Sequence, residues 1–195
     1  MPLRSAASTR ERTRDLAVIA LTIAIIAVSA WVTIPLGPIP FTLQLFALMF
    51  AVMALEPRQC VAAVAGYVAL GALGAPVFSG MRGGIGVLMG PTGGFIWGFL
   101  IAAIGAAALL HLLRRSGMDN ALGCALAGLS FVAVAYACGT AQLMLVMGMS
   151  LEAALAAAVA PFIVVDLIKL AAATATARAV VRARRVSLGH GADAR

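Results

Sequence analysis

Asp166 and Lys169 stand three residues apart in the apolar run Pro161–Val181, where an ionised side chain is least expected. On a helix that spacing projects both groups from nearly the same face. At bilayer depth each costs about 2.5–3.5 kcal/mol on insertion scales, so an intramembrane ionisable residue reads as part of a functional site facing the bundle interior. Counted from Pro161, the pair lies about 7–12 Å below the helix end. The bland alternative is a self-neutralising pair that only fixes helix packing. Arg82, in the glycine-rich stretch Gly74–Gly94, falls on the same predicted outer side, giving two cations to one acid. A spare positive charge suits an anionic ligand. Thr42 and Gln44 follow a proline-rich run on that side, and a glutamine amide offers both a donor and an acceptor. Tyr67 adds a hydroxyl or simply packs. Gly83 and Gly84 permit positive φ and close backbone approach, as a ligand lid or a plain covering loop. The glycines do not have the GxxxxGK[ST] spacing of a phosphate cradle.

These residues need elements to hold them, and composition says where those elements sit. Of 195 residues 63% are hydrophobic and 11% charged, too little polar surface for a soluble domain of this length and enough for a lipid-facing bundle. The predicted spans are Leu16–Ile34, about Phe41–Leu55, Cys60 to about Leu73, about Phe95–Leu113, about Ala121–Val146, and Pro161 to about Val181. The first, 19 residues, is longer than a signal h-region and is expected to stay as a helix. Ile34–Pro40 holds three prolines and cannot continue it. Glu56–Gln59 is expected as a polar turn, and Gly74–Gly94, with eight glycines and two prolines, as an irregular covering loop. Ser150–Val159 is expected as a short surface helix before the last span, whose 21 residues reach about 30 Å, the thickness of the hydrocarbon core.

The fold class is therefore an all-α membrane protein of six transmembrane helices. It divides into a basic segment 1–15, a transmembrane domain 16–181 and a basic tail 182–195. Twelve of the fourteen basic residues fall on one side: Arg4, Arg10, Arg12, Arg14, Arg58, Arg114, Arg115, Arg178, Arg182, Arg184, Arg185 and Arg195. The positive-inside rule names that side cytoplasmic, with both termini there, in a multi-pass protein of the cell membrane in contact with its lipid. The basic residues lie in loops and tails, which argues against a nucleic-acid partner. Cys60, Cys124 and Cys138 have no paired spacing, and His111 and His190 share no motif, so neither a disulfide framework nor a metal is expected. No nucleophile set or nucleotide motif suggests an enzyme or a cofactor. Ala20 and Ala24 form a small-xxx-small pair within the stripe Ala17, Ala20, Ala24, Ala27, either for packing inside the bundle or for docking another membrane subunit.

Three segments resemble the BioY family, the biotin-specific substrate-binding (S) components of energy-coupling-factor (ECF) transporters. They are Ile34-Pro-Leu-Gly-Pro-Ile-Pro-Phe-Thr-Leu-Gln44, Gly80-Met-Arg-Gly-Gly-Ile-Gly-Val-Leu-Met-Gly-Pro-Thr-Gly-Gly-Phe95 and Pro161-Phe-Ile-Val-Val-Asp-Leu-Ile-Lys169. The resemblance covers nearly all the chain except the basic tails. It implies the six-helix S-component fold, with biotin held near the outer surface under loops. It also implies docking through Ala20 and Ala24 onto a transmembrane coupling subunit, with two ATPase subunits supplying the energy. Asp166 would accept the ureido N–H groups, while Lys169 or Arg82 would pair with an oxygen. Two other readings stay open: a proton-coupled secondary carrier of a small anionic solute with Asp166 as the proton site, and a structural membrane subunit.

Overall fold

Proline and glycine divide the described residues of this computed structural model, 3–36 and 39–190, into eight α-helices and one hairpin. Side chains are described over 9–34 and 39–183; Gly37, Pro38, residues 191–195, and the side chains of Arg4, Arg184, Arg185 and His190 lie outside them. Helix α1 runs Leu3–Trp31. It starts well before Leu16 because the basic segment is rich in alanine and arginine, good helix formers whether or not lipid surrounds them. It stops before Ile34, where β-branched residues and Pro35 turn the chain into a hairpin. Strand β1 (Thr33–Leu36) pairs antiparallel with β2 (Ile39–Thr42), Thr33 opposite Thr42 and Pro35 opposite Pro40. Both strands of a two-stranded ribbon are edges, so proline's missing N–H is tolerated there. The fold is thus mostly helical, and the all-α expectation is corrected by this hairpin.

Helix α2 (Gln44–Ala54) is buried on nearly every side, which explains why its sequence is apolar all round. Helix α3 (Pro57–Ala72) begins earlier than Cys60: Pro57 takes the first helical position, where its missing donor costs nothing, and the Glu56 N–H donates to Gln59 Oε1 at 3.3 Å. The expected polar turn is the first turn of this helix. The glycine-rich stretch is less irregular than expected, holding a 3-10 turn at Ser79–Met81 and a short helix α4 (Ile85–Met89). Helices α5 (Gly93–Arg115) and α6 (Ala121–Met147) make the most extensive contact in the molecule. Gly94 and Gly98 lie against Cys138, Gly139 and Ala135, so the two backbones approach closely. Helix α7 (Leu151–Ala158) opens on Ser150, whose hydroxyl accepts from the Ala153 N–H at 3.3 Å. A turn containing Pro161 then leads into α8 (Ile163–His190), bent 49° from α7.

Among the described residues three helices are long and apolar enough to cross a membrane: α1 over Thr9–Trp31, α5 and α6; the bent α7–α8 pair makes a fourth if taken as one span. Helix α2, with 11 residues, is shorter. At 1.5 Å per residue it reaches about 16 Å, roughly half the hydrocarbon core. Helices α2, α5, α6 and α8 surround one continuous core that includes Leu48, Met49, Met53, Leu110, Phe131 and Ala173. They bring different chemistry together at each of their two ends.

Candidate functional site

At the end where α2, α5 and α8 begin, the helices enclose an open cavity of about 740 Å³, counting the space at its mouth. Asp166, in the first turn of α8, accepts from Lys169 Nζ at 2.7 Å through Oδ1 and from the Tyr136 hydroxyl at 2.5 Å through Oδ2. Lys169 also donates to the Thr42 carbonyl at 2.7 Å, and its ammonium sits 4.0 Å from the centroid of the Phe41 ring. Only 5% of Asp166 and 7% of Lys169 is exposed, yet both line the cavity. The pair therefore faces a hollow instead of packed side chains. The hairpin makes this arrangement possible, because β2 delivers Thr42 and Phe41 to the lysine and α6 delivers Tyr136 to the aspartate.

Across the cavity, Gln44 Nε2 donates to the Tyr67 hydroxyl at 2.9 Å, and both side chains are buried. Tyr67 meets the edge of Phe78, with ring centroids 5.5 Å apart at 74°. Phe78 reaches that position because Gly71 has no side chain: a Cβ there would fall within the phenylalanine ring. Phe95, Phe99 and Phe162 complete an aromatic wall. Arg82 is exposed at the mouth, where Nε donates to the Ser79 carbonyl at 3.2 Å. The loop carrying it is tied down on three sides. Trp31 Nε1 donates to the Pro76 carbonyl at 2.7 Å, and the hydroxyls of Thr33 and Ser79 lie 3.1 Å apart. Gln142 Nε2 donates to the carbonyls of Leu88 and Gly90, each at 2.8 Å.

Six residues singled out in the sequence thus line one cavity: Asp166, Lys169, Arg82, Gln44, Thr42 and Tyr67. Gly83 and Gly84 are not among its lining residues. Gly83 lies so close to the Ala75 carbonyl that a Cβ would collide with it, and Gly84, at φ 96°, donates its N–H to the Gly71 carbonyl at 2.6 Å. Their close approach is to the neighbouring backbone. Tyr136 and Phe41 also line the cavity and contact the charged pair, and sequence reasoning missed both. The available signal was scarcity: the chain has two tyrosines, and both line the cavity. Ala20 and Ala24 lie away from the site on an exposed face of α1, whereas Ala27 is buried. Among the described residues no group of three or more His, Cys, Asp or Glu is placed to hold a metal, and the three cysteines are free thiols.

A cavity apolar round most of its wall, with a few convergent polar groups, suits a small amphipathic molecule. Asp166 uses two of roughly four carboxylate acceptor positions, so it can accept further donors without releasing Lys169 or Tyr136. Comparison with known proteins leads to the same place. Residues 4–186 match the model of the BioY family. The biotin transporter BioY of Thermotoga maritima is 39% identical over 150 residues, covering 77% of this chain and 85% of that protein. The biotin transporter BioY of Rhodobacter capsulatus is 35% identical over 185 residues, covering 90% and 97%. A crystal structure of the S-component for biotin from an ECF-type ABC transporter superposes with a TM-score of 0.82 at 25% identity, over 89% of this chain and 93% of that one. The hairpin, the glycine-rich loop and the charged turn of α8 all fall inside the matched stretch, and the chain belongs to the BioY family.

Proposed function

We propose that this chain takes up biotin as the substrate-binding S component of an ATP-driven ECF transporter, a transport subunit and not an enzyme. The observation that carries the reading is a buried, hydrogen-bonded charged pair with acceptor positions to spare, turned toward an open cavity. In this reading Asp166 accepts the ureido N–H groups, and Lys169 donates to the ureido carbonyl. The aromatic wall packs the sulfur-containing ring and the aliphatic chain. Gln44 and Tyr67 fix the ring edge, and Arg82 at the mouth meets the carboxylate, where exclusion of water strengthens a charge-assisted bond. Thr42 acts through its backbone by holding Lys169 in place.

The six spans are α1, α2, α3, α5, α6 and α8, with α2 and α3 short because they cross inside a bundle. This transmembrane part, 16–181, lies between the basic segments 1–15 and 182–195. Both termini are cytoplasmic in a protein of the cell membrane. Two observations support that orientation. Asp15 Oδ1 accepts from Gln59 Nε2 at 2.7 Å, bringing the basic end of α1 to Arg58 at the start of α3. Arg114, Arg178 and Arg182 meet at the opposite end of the helices from the cavity. Exposed Ala20 and Ala24 would dock the coupling subunit, and ATPase subunits would drive delivery inward. The test is retention of radiolabelled biotin by the detergent-purified chain with no ion gradient, followed by uptake in vesicles containing the coupling module. The expected result is binding by the chain alone and uptake that requires ATP. Absence of binding overturns the reading, and uptake driven by a proton gradient without ATP replaces it with a secondary carrier.

A further inference from the structure

A second cavity, of about 390 Å³, opens at the other end of α2, α5, α6 and α8. Its lining is split by chemistry. Met53, Cys124, Ala177 and Val181 supply apolar wall, while Arg114, Arg178 and Arg182 supply guanidinium groups. Arg114 is already committed: Nη2 donates to the Met53 carbonyl at 2.7 Å, and Nε lies 3.3 Å from Asp119 Oδ1. Arg178 and Arg182 are four apart on α8 and so share a face. Among the described residues neither has an acidic partner within ion-pair distance. Among the described lining residues there are three arginines and one acid, Asp119, a surplus of two positive charges.

We infer that this cavity binds the phosphate of an anionic phospholipid headgroup from the leaflet at this end of the bundle. Charge complementarity and position both point to a lipid. The paired guanidiniums match a phosphodiester, which arginine recognises through parallel N–H donors. The cavity lies where α5 ends and α6 begins, at the level where two membrane-crossing helices leave the hydrocarbon. Basic pockets between transmembrane helices hold anionic headgroups in this way. The site is separate from the biotin cavity, so either proposal can fail without the other.

The test is native mass spectrometry of the full detergent-purified chain after addition of phosphatidylglycerol or phosphatidylcholine. Wild type is expected to retain phosphatidylglycerol and release phosphatidylcholine. Arg178→Ala with Arg182→Ala is expected to weaken retention about 30-fold. Arg178→Lys with Arg182→Lys recovers most of that loss, and an unchanged cooperative unfolding temperature of the alanine variant shows that it is folded. Equal retention of the two lipids, or undiminished retention by the alanine variant, overturns the assignment. Displacement of phosphatidylglycerol by millimolar inorganic phosphate also overturns it, in favour of a soluble phosphate. No retention of either lipid, together with failure of the alanine variant to assemble with the coupling subunit, overturns it in favour of a protein contact.

Discussion

At the scale of single residues, the site is an aspartate held by two donors. Lys169 neutralises it and Tyr136 fixes its second oxygen, while the lysine is steadied by the Thr42 carbonyl and the Phe41 ring. A hydrogen bond to a charged group contributes about 1.5–3 kcal/mol. Tyr136→Phe is therefore expected to lower the unfolding temperature and to weaken biotin binding about tenfold to a hundredfold by calorimetry. Unchanged affinity would make Tyr136 a packing residue. Asp166 and Lys169 were legible in the sequence because an ion in an apolar run is costly wherever the chain folds. Tyr136 was not, since a tyrosine in a span costs little and its partner lies 30 residues away on another helix. Gly83 and Gly84 show a related limit: glycine announces a close approach without naming the neighbour, which here includes the backbone of residues 71–75.

At the scale of elements, the cavity depends on backbones that approach more closely than side chains would permit. Gly71 makes room for Phe78, and Phe78 forms cavity wall against Tyr67. Gly71→Ala forces the ring to move, an overpacking that costs about 1–3 kcal/mol. Both a lower unfolding temperature in detergent and weaker biotin binding are expected. Gly105→Ala, where a Cβ meets nothing within 4 Å, is expected to leave both intact. If the two variants behave alike, Phe78 does not shape the site. Helices α5 and α6 were readable to within two residues, because unbroken apolar runs have one solution in lipid, whereas α1 starts at Leu3 and α8 runs to His190, well beyond the apolar runs expected to bound them. The hairpin was not. Its prolines correctly signalled the end of α1, but pairing of Thr33 with Thr42 is a tertiary outcome with no periodic signature in four residues. Likewise Pro57 looked like a break and is a helix start.

At the scale of the whole molecule, four helices carry two unlike ends, an aromatic cavity with one buried ion pair and a basic cavity with surplus charge. The distribution of arginines made that polarity legible before any contact was known. The outward face of α1 belongs to this scale as well, since Ala20 and Ala24 are exposed. Ala20→Trp is expected to leave biotin binding by the isolated chain unchanged while abolishing uptake with the coupling subunits; normal uptake would remove α1 as the docking face. The central claim is that a buried charged pair is kept within the bundle because it binds the vitamin. Calorimetric titration of biotin into the purified chain and into Asp166→Asn tests this most directly, since asparagine keeps the shape and can still accept from Lys169. Saturable one-to-one binding by wild type and none by a monodisperse, cooperatively unfolding Asp166→Asn is the predicted result. Wild-type affinity in that variant would contradict the account.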